Sequence, residues 1–174
     1  MEEPEKIENG ENKQNIKVRK EYILLSIIVV AIVILDQILK VFVLGKGELQ
    51  IIPNVLKFSI TENTSAAYGI GSNSTIMYVL TNIIILGIIF KFVTTQNAYV
   101  DKKMKIFLSF IFAGGISNVI DRISRGYVVE FINFKDLVNL PVLNIADVFT
   151  IIGWVAVAAI FAAFTVNEWR KNKK

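Results

Sequence analysis

The sequence predicts an α-helical integral membrane protein, with four transmembrane helices and a small β-rich platform on the non-cytoplasmic side. Three observations lead there. Hydrophobic residues fill 53% of the 174 positions, too many for an ordinary soluble domain. They are gathered in blocks long enough to cross about 30 Å of hydrocarbon. The basic residues gather in alternate segments between and beyond those blocks, which sets an orientation.

Residues 1–21 are polar, with six Glu against five Lys and Arg and no apolar periodicity. They are expected to form a disordered cytoplasmic tail. The first span covers residues 22–44, interrupted by Asp36, Gln37 and Lys40. Its uncharged start imitates a signal peptide, but Asp-Gln-Ile-Leu-Lys follows where a small-residue cleavage site would stand, so a retained helix is expected. Leu49-Gln50-Ile51-Ile52-Pro53 and Val55-Leu56-Lys57-Phe58-Ser59-Ile60 are short, β-rich and punctuated by turn residues, and read as strands. The second span is placed at about 74–92, within a stretch without charge from Asn63 to Phe90. The third runs from about 105 to 122 and ends in Asp121-Arg122; the fourth covers about 148–166, which carries no charge. Together, residues 22–166 form the membrane domain, and 167–174 a basic tail.

Lys17, Arg19 and Lys20 precede the first span. Lys91, Lys102, Lys103 and Lys105 cluster between spans two and three, and Arg170, Lys171, Lys173 and Lys174 follow span four. All three segments are expected to be cytoplasmic. Topology thereby accounts for the net charge of +4, and nucleic acid is not expected as a partner. Cysteine and histidine are both absent. Disulfides, thiolate nucleophiles, Ser-His-Asp catalysis and imidazole zinc sites are therefore excluded. Any proton transfer must use carboxylates, lysine or water.

The polar residues that break the apolar blocks lie at the outer ends of the spans. Asp36 and Lys40 are four apart on one helical face and can pair, either to neutralise each other or to brace a site. Asn63-Thr64-Ser65-Ala66-Ala67-Tyr68-Gly69 combines an amide with small residues that allow close approach. In Gly114-Gly115-Ile116-Ser117-Asn118-Val119-Ile120-Asp121-Arg122, Asn118 and Arg122 share a face. They suit carbonyl or phosphate oxygens, or a helix cap with a snorkelling arginine. Last come Glu130, within Val128-Val129-Glu130-Phe131-Ile132, and Asp147, closing Leu143-Asn144-Ile145-Ala146-Asp147. A carboxylate beside hydrocarbon is costly and generally functional. Two close together do not both ionise cheaply, so one keeps its proton and the pair can work as acid and base on a water molecule.

These motifs, in this order, resemble the lipoprotein signal peptidase (signal peptidase II) family: Asp-Gln-x-x-Lys, Asn-x-x-Ala-Ala-aromatic-Gly, Gly-Gly-x-x-x-Asn-x-x-Asp-Arg, Val-Val-acid-Phe-Ile and Asn-x-Ala-Asp. The resemblance implies a four-span aspartic peptidase of the bacterial cytoplasmic membrane with a small extracytoplasmic β-sheet cradle. It would cleave prolipoproteins just before a cysteine that carries diacylglycerol, without a cofactor or metal. By motif match, Glu130 and Asp147 are the catalytic dyad. Asn63, Asn118, Arg122 and Asn144 match substrate-lining positions, and Asp36, Lys40 and Asp121 supporting ones. The expected partners are lipid-modified precursors and membrane lipid, and the chain is expected to act as a monomer. The family pattern has Asp where this chain has Glu130, Gly where it has Ser65 and Ser117, and Phe where it has Leu143. Glu130 leaves two readings, an adapted active dyad or a paralogue that binds precursors without cutting them. A transporter would carry its ionisable groups near mid-membrane on repeated, broken helices, and this chain shows no repeat. A Ser-Lys dyad of Ser65 or Ser117 with Lys40 has no spacing to mark it.

Overall fold

The structure, a computed structural model, describes residues 4–64, 74–94, 100–134 and 140–173. Its elements are α1 (Pro4–Leu44), β1 (Leu49–Ile52), β2 (Leu56–Asn63), α2 (Ser74–Thr94), α3 (Lys102–Arg125), β3 (Val128–Asn133) and α4 (Ile145–Lys171). Among the described residues, four helices are long and apolar enough to cross a membrane. The helix boundaries extend beyond the expected spans, chiefly into their polar ends. At the N-terminus the difference is large: residues 4–21, expected to be disordered, continue α1. Glu, Lys, Gln and Arg dominate there. These are good helix formers, and extending an existing helix avoids the nucleation step.

The centre of the bundle is α3, which packs against α1, α2 and α4. This explains its lower hydropathy relative to the other three, since more of its surface meets protein and less meets lipid. Small residues bring α3 and α4 together: a Cβ on Gly114 would clash with the Ala146 carbonyl oxygen, and one on Gly153 would stand 2.7 Å from that of Phe107. Both helices have defined starts. Asp101 caps α3 by accepting from the Met104 N–H at 2.8 Å, and Asn144 caps α4. Gly126 closes α3 at φ +83°, a left-handed position that glycine occupies without strain.

Both expected strands form, as β1 and β2. They join β3, for which no strand was expected, in an antiparallel sheet of order β1-β2-β3. Phe131 and Ile132 of β3 pack with Val43 at the end of α1, and Phe131 meets Phe58 edge-on, with ring centroids 5.2 Å apart. On the other side of β3, the Phe131 and Ile132 N–H groups donate to the Leu143 carbonyl at 2.8 and 2.7 Å. This bridge brings the start of α4 against the strand that carries Glu130.

Candidate active site

Glu130 comes from the centre of β3 and Asp147 from the first turn of α4. The Leu143 bridge and the α3–α4 packing bring both to one cavity of about 440 Å³. Asn63, Asn118, Arg122 and Leu143 also line it, and Thr150 and Ile151 continue it along α4. Asn144 does not line the cavity. It is buried behind it, donating to Asn118 Oδ1 at 3.0 Å and to the Val129 carbonyl at 3.2 Å. Its amide is taken up by the helix cap and by β3, so its observed contacts are structural. Residues 65–69, with Ser65, lie outside the described residues.

Asp147 is held on both carboxylate oxygens. Asn118 Nδ2 donates to Oδ1 at 2.8 Å, and the Asn144 backbone N–H donates to Oδ2 at 3.0 Å. The second bond is half of a reciprocal capping box; in the other half, the Asp147 N–H donates to Asn144 Oδ1 at 2.8 Å. The motif that starts α4 therefore also orients the carboxylate. Glu130 is half-buried and accepts from Asn63 Nδ2 at 2.6 Å. Burial pushes its carboxyl above the usual carboxylate range, because the charged form loses hydration. The Asp147 charge acts in the same direction, while the Asn63 hydrogen bond and the Arg122 and Lys40 charges oppose it. Arg122 lies over the Tyr78 ring of α2, 5.6 Å from its centroid, and supplies the cavity's cation.

Beneath the cavity is an ion network whose Asp36, Lys40 and Asp121 are fully buried. Lys40 meets Asp36 at 2.6 Å and Asp121 at 2.8 Å, as the four-residue spacing allowed for the first pair. It also donates to Asn118 Oδ1 at 3.1 Å. Arg125 pairs with Asp121, so two buried carboxylates face two cations. Buried charge is tolerable only when paired and hydrogen-bonded in this way. Asp36 also accepts from the Ala146 N–H at 3.0 Å and from Ser117 Oγ at 2.6 Å, and Asp121 accepts from the Val129 N–H at 3.1 Å. One network thus ties α1, α3, β3 and α4 together.

Three contributors were missed in the sequence. Gln37 donates to Asp121 at 3.0 Å and to Ser117 Oγ at 3.0 Å; its place inside the Asp36–Lys40 motif was an available signal. Arg125 stands four residues after Asp121, a spacing that marks helical ion pairs. Ser117, a departure from the family pattern, is a donor to Asp36, a role that its position in the chain does not mark. Among the described residues, no group of three or more acidic residues is placed to hold a metal ion.

Four membrane-spanning helices, with a glutamate and an aspartate opening onto one cavity beside a small sheet, define a class, the multi-pass membrane proteins. A family model for signal peptidase (SPase) II matches residues 28–164, and by that match the chain belongs to the signal peptidase II family. It is 35% identical to a lipoprotein signal peptidase of Clostridium novyi, over 76% of this chain and 93% of that one. It is 31% identical to a lipoprotein signal peptidase of Staphylococcus aureus, covering 90% and 99% respectively. Its fold is similar to a bacterial membrane enzyme solved by the in meso method at 2.3 Å resolution. That match has a TM-score of 0.73 and 29% identity, over 83% of this chain and 90% of that one.

Proposed function

We infer that this chain is a membrane aspartic endopeptidase that removes the signal peptide from prolipoproteins. One observation carries the reading: in a chain of the signal peptidase II family, Glu130 and Asp147 open onto the same cavity. The precursor carries diacylglycerol on the cysteine that follows the cleaved bond, and its lipid enters sideways from the bilayer. The enzyme acts as a monomer with both termini in the cytoplasm, where the basic segments lie.

The geometry supports a division of labour. Glu130, whose Oε1 accepts from Asn63, carries the shared proton on its other oxygen and passes it to the scissile carbonyl oxygen. Asp147, oriented through both oxygens, takes a proton from a water molecule as its oxygen adds to the carbonyl carbon. The resulting gem-diol collapses: the C–N bond breaks, Asp147 returns its proton to the departing nitrogen, and Glu130 recovers the proton that it lent. A new carboxyl and a new amine result, and the pair returns to its starting state. With one shared proton, the Glu130–Asp147 pair carries a single negative charge opposite Arg122. Asn63, Asn118 and Arg122 offer donors to the peptide and to the oxygens of the modified cysteine.

The test is cleavage of a diacylglyceryl-modified precursor by the purified protein in lipid, with Asp147→Asn as control. Processing by the parent chain and none by the variant is expected. Normal processing by Asp147→Asn rules out the dyad.

A further inference from the structure

The pairing of β2 with β3 contains a one-residue irregularity. Phe58 faces Ile132, but Thr61 faces Glu130 and Asn63 faces Val128. Had the first pairing continued unbroken, Ile60 would face Glu130 and Glu62 would face Val128. Opposed residues share a face of the sheet, and a shift of one residue exchanges the faces. The bulge therefore removes a third carboxylate, Glu62, from the face of Glu130 and substitutes an amide. From its place diagonal to Glu130, Asn63 donates to Oε1 at 2.6 Å, within reach for diagonal neighbours on a sheet.

We propose that Asn63, brought onto this face by the bulge, is a positioning residue that anchors the long Glu130 side chain in catalytic register with Asp147. This rests on the dyad reading above. A glutamate has one more rotatable bond than an aspartate, and its carboxyl sweeps a wider arc. A donor fixed on the neighbouring strand holds one oxygen and leaves the other for chemistry. The charged groups around Glu130 are Asp147 on α4, Arg122 on α3 and Lys40 on α1. Asn63 is the neutral donor from the sheet side, and it favours the ionised carboxylate.

The experiment is a double-mutant cycle on precursor cleavage, with kcat, KM and the pH profile measured for the parent chain, Asn63→Ala, Glu130→Asp and the double variant. In the Glu130 background, Asn63→Ala is expected to lower kcat by about 10- to 100-fold, the scale of a misplaced catalytic group. KM should be little changed, and the titration assigned to Glu130 should move to higher pH. In the Glu130→Asp background the carboxyl is withdrawn by about 1 Å and the anchor is already lost, so the same change should cost less than about threefold. Equal losses in both backgrounds, or a loss confined to KM, would overturn the proposal and make Asn63 a substrate ligand only. Asn63→Leu, which keeps the side-chain shape without the amide, replaces Asn63→Ala if that variant fails to accumulate, with the same outcomes expected. A separate variant, Glu130→Gln, tests the underlying reading: full activity there removes Glu130 from the dyad, whatever the cycle gives.

Discussion

Asn118 donates to Asp147 at 2.8 Å through its amide nitrogen, while its amide oxygen accepts from Lys40 at 3.1 Å and from Asn144 at 3.0 Å. One side chain on α3 thereby transmits the position of a buried ammonium on α1 to a carboxylate on α4. The amide is fixed in orientation because its oxygen faces two donors and its nitrogen an acceptor.

Asp147→Asn should reduce cleavage by more than about 10³-fold, the usual scale for loss of an essential catalytic group. The fold should survive, because the amide oxygen can still accept from the Asn144 N–H, and only the bond from Asn118 Nδ2 is lost. Single-turnover cleavage, with thermal unfolding in detergent as the folding control, checks both parts.

Lys40→Met leaves Asp36 and Asp121 buried without their shared cation. Breaking a buried pair from one side costs about 3–5 kcal/mol, so Tm should fall sharply. Adding Asp36→Asn leaves Asp121 with Arg125 and should recover part of the loss. If the double variant is less stable than Lys40→Met, the network does not balance charge in this way.

Gly114→Ala drives a methyl group into the Ala146 carbonyl oxygen. The helices must separate, at a cost of about 1–3 kcal/mol, and the Asn118–Asp147 bond must stretch with them. Gly87, whose added Cβ would meet nothing within 4 Å, is the control. Gly87→Ala should be neutral or stabilising by up to about 1 kcal/mol, as read by thermal unfolding.

Glu130→Gln should abolish cleavage yet raise Tm at neutral pH. The Glu130 pKa is raised by folding, so its contribution to stability is fully present below the ordinary value of 4.5 and is lost as pH rises through the folded value. A neutral amide carries no such loss. The Tm advantage of the variant should therefore be greatest well above the raised pKa and disappear below about pH 4.5. An advantage independent of pH would mean that the carboxyl is not penalised by burial.

Hydropathy was enough to predict four membrane-spanning helices, because bilayer thickness imposes a minimum length on any spanning helix. The Asp36–Lys40 pair was legible from the same local geometry, since a four-residue step returns to one helical face. Residues Glu130 and Asp147 stood out in the linear chain because charge beside hydrocarbon needs a reason. Their convergence, however, depends on the Leu143 bridge to β3 and on the glycine-mediated approach of α3 to α4, both long-range contacts with little local pattern. The withdrawal of Asn144 into a helix cap, the buried roles of Gln37 and Ser117, and the bulge that places Asn63 beside Glu130 were likewise decided by tertiary structure. Each depends on which backbone groups remain unpaired once strands and helices have met, and that is a property of the assembled fold.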